Sequence, residues 1–84
     1  MQKWYVYMVR CADSTLYTGI AKDVERRVVQ HNAGQGAKYT RGRGPVVLVY
    51  REAAKDRPAA LRREHEIKQL RLTAKRTLIA DFQS

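Results

Sequence analysis

The chain has one cysteine, Cys11, in 84 residues. A single cysteine excludes a disulfide within the chain and a thiolate zinc cluster, which points to a reducing compartment. With no histidine near it in sequence to activate the thiol, Cys11 reads as a small passive residue. Acidic residues are also scarce, eight Asp and Glu against seventeen Lys and Arg, for a formal charge of +9. So strong a positive field on so small a body makes phosphate polymers the most natural partner, ahead of an acidic membrane surface or mere solubility. There is no apolar run long enough to cross a bilayer and no signal peptide, so a cytoplasmic location is expected. Internal repeats, heptads and low-complexity tails are missing as well. At this length one small core is expected, a single domain over 1–84, and a hydrophobic content of 44% excludes wholesale disorder.

What the chain does have begins at Tyr5–Gly19, YVYMVRCADSTLYTG. Alternation over Lys3–Arg10 and Thr15–Ile20, linked by Ala12-Asp13-Ser14, predicts a β-hairpin. One parity holds Trp4, Val6, Met8, Leu16 and Ile20, the expected core face; the other holds Tyr5, Tyr7, Val9, Tyr17 and Gly19, the expected working surface. The plainer reading is that tyrosine is simply a good strand residue. A turn centred near Ala12 sets Tyr7 opposite Tyr17, about 4.5–5.5 Å apart at Cβ.

Asp23 then offers a cap for a helix from Val24 to His31 or Asn32, with Gly34 as its stop. Val24 and Val28 mark an inward stripe, and Arg27 and His31 a second stripe beside it. The segment Gly34–Pro45, GQGAKYTRGRGP, is basic, glycine-rich and free of acid. It cannot build a core. Its glycines let backbone approach a ligand, Lys38, Arg41 and Arg43 can neutralise phosphates, and Tyr39 can stack on a base; the alternative is a solvated basic loop. Val46–Tyr50 reads as a buried third strand beside the first, and Arg51–Lys55 as a connection. A second helix follows from about Pro58 to Leu70. Its apolar stripe, Ala60, Leu61, Ile67 and Leu70, contains Glu64, a costly place for a carboxylate unless Arg63, Lys68 or Arg27 pairs with it or it serves as a metal ligand or base. Thr73 is the expected cap of a last helix, Ala74 to about Phe82.

Tyr5-Val6-Tyr7, Tyr17-Thr18-Gly19, Arg27 in DVERRVVQH and Glu64 in REHEIK resemble, in order and spacing, the motifs of the GIY-YIG nuclease family. The KYTRGRGPVVLVY segment and small size are similar to its stand-alone YhbQ-like bacterial members. The resemblance implies an α+β fold, a three-stranded antiparallel sheet flanked by helices in the order β-β-α-β-α-α. It also implies a hydrolase, an endonuclease cleaving phosphodiesters with one divalent metal, Mg²⁺ or Mn²⁺. Tyr7 matches the tyrosine of the first motif, Tyr17 that of the second, Arg27 the catalytic arginine and Glu64 the metal-binding glutamate. Gly19, His31, Lys38, Tyr39, Arg41 and Arg43 form the expected substrate-binding set, with His31 and Lys38 as proton relays or phosphate contacts. Mg²⁺ needs only one or two carboxylates because it keeps several waters, and the planar fork of Arg27 suits phosphoryl oxygens. Tyr7 is expected as base and Tyr17 as its positioning partner; a phenol of ordinary pKa ~10 then needs Arg27, the metal or the other hydroxyl to favour phenolate. Tyr5 stands where the family name has Gly and becomes a wall of the cleft, and no Asn follows Glu64 as in some members. The expected substrate is DNA, in repair or recombination, with specificity poor, structural or lent by a targeting protein partner. The alternatives are a nucleic-acid-binding module, for DNA or RNA, with little or no catalysis, and a basic subunit that docks on an acidic protein.

Overall fold

The computed structural model describes residues 3–84; the first two residues of the expected 1–84 domain lie outside the described residues. In chain order the elements are β1 (Trp4–Arg10), β2 (Leu16–Ala21), α1 (Val24–Asn32), β3 (Val47–Ala54), α2 (Arg57–Gln69) and α3 (Leu72–Gln83), with one 3₁₀ turn at Lys38–Thr40 between α1 and β3. The sheet is antiparallel in the order β2-β1-β3, the α+β arrangement anticipated from the motifs.

Both sheet faces are covered. Val6 and Met8 pack with Val49 and Tyr50 beneath Ala60 and Ile67 of α2, while Leu78 and Ile79 of α3 close the same side. On the other face Tyr7, Val9 and Cys11 pack with Val24 and Val46, and Val28 and Tyr17 adjoin them. The greasy parity is therefore core, as expected, but the tyrosine parity is core too. An open working surface there is corrected by α1, which Asp23 caps by accepting from the Arg26 amide at 3.0 Å, so that Val24 and Val28 land on the tyrosines.

Several boundaries move for identifiable reasons. The hairpin closes through Cys11–Thr15, with Ser14 at φ 71 and its amide donating to the Cys11 carbonyl, and Asp13 accepting from the Thr15 amide. That shifts the register so that Tyr7 lies opposite Gly19 and Tyr17 opposite Val9; the phenols are diagonal neighbours, not cross-strand partners. β3 continues to Ala54 because β1 still offers Trp4–Tyr7 as partners for Arg51–Ala54, so the expected connection is strand. α3 starts at Leu72, and Thr73 lies inside it instead of capping it. In α2 the buried residues are Ala60 and Ile67, two turns apart, with Arg63 and Glu64 half-buried between them; Leu61, one step round the wheel, is exposed. Glu64 thus keeps its inward place although the stripe is narrower than its sequence implied.

Candidate active site

Tyr7 is 1% exposed, and its hydroxyl lies 2.7 Å from His31 Nε2, the last-turn histidine of α1, itself 2% exposed. β1 supplies the phenol from the sheet centre and α1 lowers the imidazole onto it. Gly19 is the residue opposite Tyr7, and a Cβ there would stand 2.7 Å from the Tyr7 hydroxyl oxygen and 3.1 Å from the Tyr17 ring. Only glycine lets the two rings lie over β2, which fixes Gly19 as a packing requirement of the site. The Tyr7 and Tyr17 ring centroids are 6.5 Å apart, and Tyr17 meets His31 edge-on at 5.4 Å.

The charged candidates surround this cluster. Arg27, one turn before His31, donates from Nη1 to Gln30 Oε1 at 3.1 Å and stands near enough to act on both Tyr7 and His31. Burial pushes the Tyr7 phenol up to about 12; the Arg27 guanidinium pulls against that, and Tyr17 and Glu64 add to it. Burial, followed by the Arg27 charge, lowers His31 from its ordinary range. Both shifts favour neutral forms. Of the neighbours expected to favour phenolate, Arg27 does lower Tyr7 but is outweighed by burial, and Tyr17 raises it instead, so the pair rests as a phenol against a neutral imidazole.

Glu64 reaches the same site from α2. Its side chain is 18% exposed, and Oε2 lies 3.3 Å from Lys68 Nζ, which also sits 6.0 Å from the Tyr17 ring centroid. Of the three partners considered for Glu64, Lys68 is the one that pairs; Arg63 turns to Glu52 and Glu66. Among the described residues no group of three His, Cys, Asp or Glu side chains gathers for an ion. A lone, partly exposed carboxylate suits a hard cation that keeps most of its waters and takes further oxygens from substrate phosphate.

The basic loop is built rather than structureless, and it contributes to the interior after all. Thr40 is 1% exposed; its hydroxyl lies 2.8 Å from His31 Nδ1 and 2.9 Å from the Ala37 carbonyl. Gly36 passes over the imidazole so closely that a Cβ would fall 2.2 Å from Nδ1. Asn32 fastens the far end, accepting from the Val46 amide at 2.6 Å and donating to its carbonyl. Tyr39 already stacks on Tyr17 at 5.8 Å and 25°, and Arg43 lies 4.4 Å over the Tyr39 ring while pairing with Asp13. Of the expected substrate contacts, Lys38 and Arg41 are exposed, whereas His31, Tyr39 and Arg43 have partners inside the chain. Thr40 escaped the sequence reading because a threonine in a glycine-rich loop has no periodicity to mark it; the only trace is its place between two glycine-bearing tracts. A separate cavity of about 350 Å³ lined by Arg10, Leu16, Arg76 and Ile79 contains none of these residues.

Such a sheet, with two phenols and an arginine on its α1 face and a glutamate of α2 linked to Tyr17 through Lys68, is a nuclease-type fold. The pattern described as the GIY-YIG catalytic domain matches residues 3–77, and the chain belongs to that family. It is 57% identical over 77 residues to a UPF0213 protein of Desulfotalea psychrophila, covering 90% of this chain and 70% of the relative. It is 58% identical over 77 residues to one of Natronomonas pharaonis, covering 92% and 91%. Among solved structures it resembles a UPF0213 protein from Bacillus halodurans, at 45% identity and TM-score 0.59 over 93% of this chain and 83% of that one. A protein from E. faecalis matches at 33% identity and TM-score 0.64 over 99% and 88%. Nucleases of the family generally use divalent metals and act on nucleic acid. No helix among the described residues is long and apolar enough to cross a membrane.

Proposed function

We propose that this chain is a metal-dependent endonuclease that hydrolyses phosphodiesters of DNA, in repair or recombination. The observation that carries the reading is the buried bond between Tyr7 and His31, with Tyr17, Arg27 and Glu64 around it. Tyr7 takes a proton from the attacking water as it passes its own to His31 Nε2, so no free phenolate has to persist in a buried site. Tyr17 holds Tyr7 in place from the side, and Arg27 offers its fork to the phosphoryl oxygens as charge builds on them. Glu64 is the residue that would hold Mg²⁺ or Mn²⁺, whose contribution is to polarise the phosphate and ease departure of the leaving oxygen. Lys38 and Arg41 supply phosphate contacts at the rim, and the net charge of +9 draws the substrate in.

Labelled single-stranded, duplex and branched DNA, with RNA in parallel, incubated with Mg²⁺ or Mn²⁺ tests the proposal. Cleavage that disappears in Glu64→Ala and Arg27→Ala supports it; no cleavage of any substrate, or cleavage indifferent to both changes, overturns it. A second reading, a nucleic-acid-binding module with little catalysis, draws on the Lys68–Glu64 pair, in which an ammonium already neutralises the lone carboxylate. That reading predicts salt-sensitive binding that depends on Lys38, Arg41 and Arg43 and ignores Glu64.

A further inference from the structure

We infer that Thr40 is a positioning residue that locks His31 in its Nδ1–H tautomer, leaving Nε2 bare and aimed at the Tyr7 proton. The inference rests on the reading of Tyr7 as base and deepens it by assigning a direction to proton flow. It follows from counting protons along one buried chain of contacts: Ala37 carbonyl to Thr40 Oγ1 at 2.9 Å, Thr40 Oγ1 to His31 Nδ1 at 2.8 Å, and His31 Nε2 to Tyr7 hydroxyl at 2.7 Å. A carbonyl only accepts, and a threonine hydroxyl has one proton to give. When Thr40 donates to Ala37, it can meet His31 only as an acceptor, so Nδ1 carries the imidazole proton. A neutral imidazole then has a lone pair on Nε2, and the Tyr7 hydroxyl donates to it.

The opposite tautomer fails the same count. Thr40 would turn its proton to Nδ1, Nε2–H would donate to the Tyr7 oxygen, and the Tyr7 proton would have no acceptor among the described residues. A buried hydroxyl proton left without an acceptor is costly. One contact favours that arrangement, the Ala37 amide 3.4 Å from Nδ1. It is longer than an ordinary hydrogen bond, and Ala37 is only half-buried, so water can serve its amide. The close passage of Gly36 keeps the ring from turning away. The Thr40 hydroxyl and the Tyr7 proton therefore select the same tautomer, with Tyr7 as the donor of the Tyr7–His31 pair.

Side-chain ¹⁵N spectra of histidine-labelled protein read the tautomer without requiring catalysis. The wild-type protein is expected to show a protonated-type Nδ1 and a bare-type Nε2 for His31. Thr40→Val, which keeps the shape but removes the acceptor, shifts His31 toward Nε2–H, and Thr40→Ser restores the original pattern. On a DNA substrate kcat falls roughly 10-fold to 100-fold in Thr40→Val at unchanged KM, the size of effect seen when outer partners that orient metal-bound histidines are removed, and recovers in Thr40→Ser. A wild-type spectrum with Nε2 protonated, or a Thr40→Val spectrum identical to wild type, overturns the inference. Should Thr40→Val not fold, the wild-type and Thr40→Ser spectra decide it alone. Absence of cleavage with the expected spectra would count against the nuclease reading and leave the tautomer assignment standing.

Discussion

The Tyr7 hydroxyl lies 2.7 Å from His31 Nε2, and burial moves the two groups in opposite directions, the phenol up to about 12 and the imidazole below its usual range. The pair is therefore neutral at rest, and transfer of the proton is uphill until something stabilises the product. Arg27 already opposes the rise at Tyr7, and a second positive charge arriving with substrate would act in the same sense.

Replacing Tyr7 by Phe tests that pair with the least change of shape. DNA cleavage per folded molecule should fall by about 10²–10⁴-fold, the usual worth of a general base. The change leaves His31 Nε2 without its donor, so stability should fall by about 1–3 kcal/mol, visible in thermal melts. A variant that melts lower yet cleaves as wild type would remove Tyr7 from the chemistry.

The same shifts set a stability profile. A histidine whose folded pKa is depressed stabilises the fold above its ordinary value of 6.5, and this is lost as pH falls through the depressed value. Phenols raised from 10 to about 12, Tyr7 and likewise Tyr50 by burial and its bond to Glu52, stabilise fully below pH 10 and lose that on the way up through 12. Urea unfolding midpoints should accordingly be flat between these limits and decline below pH 6.5. In His31→Gln the decline between pH 6.5 and 5 should be much shallower. Equal slopes in both proteins would mean that His31 is not the group responsible.

The strands, the helix cap at Asp23 and the inward Glu64 were legible because period-two and period-3.6 patterns report directly which side of an element is buried. The register of Tyr7 and Tyr17 was not, since it depends on a turn in which Asp13 accepts from Thr15 and Ser14 takes a positive φ. His31 reads from sequence as a proton relay or phosphate contact, and its burial is not legible there because it is imposed by Gly36 and Thr40, which belong to a loop without periodicity. Local pattern names the residues of this site; the loop that closes over them decides which are wet.

Glycines separate close approach from backbone strain. Gly19→Ala and Gly36→Ala place a Cβ 2.7 Å from the Tyr7 hydroxyl and 2.2 Å from His31 Nδ1, respectively. Each should destabilise by about 1–3 kcal/mol through forced repacking and suppress cleavage by the molecules that still fold. Gly34→Ala meets nothing within 4 Å but occupies φ +77, so it should cost about 1–2 kcal/mol of strain and leave the rate per folded molecule unchanged. Melts paired with single-turnover assays distinguish the two classes, and an inactive but folded Gly34→Ala would contradict the division.

Two arginines of one loop should behave differently on DNA. Arg41 is exposed and has no carboxylate within ion-pair distance among the described residues, whereas Arg43 pairs with Asp13 and lies 4.4 Å over Tyr39, which in turn stacks on Tyr17. Arg41→Ala should therefore weaken duplex binding evenly across sequences, reduce the steepness of log K against log salt by about 0.9 and leave the melting temperature alone. Arg43→Ala removes the cation over Tyr39, worth about 0.5–1 kcal/mol, and frees the ring from one side. It should lower the melting temperature and slow cleavage, through a looser cover over Tyr17, more than it changes the salt slope. Binding titrations at several salt concentrations, set beside melts of the same variants, measure both effects. If Arg43→Ala instead lowers the slope as Arg41→Ala does and leaves the melt unchanged, Arg43 releases Asp13 to take a phosphate, and the tyrosine stack is free to open toward the substrate.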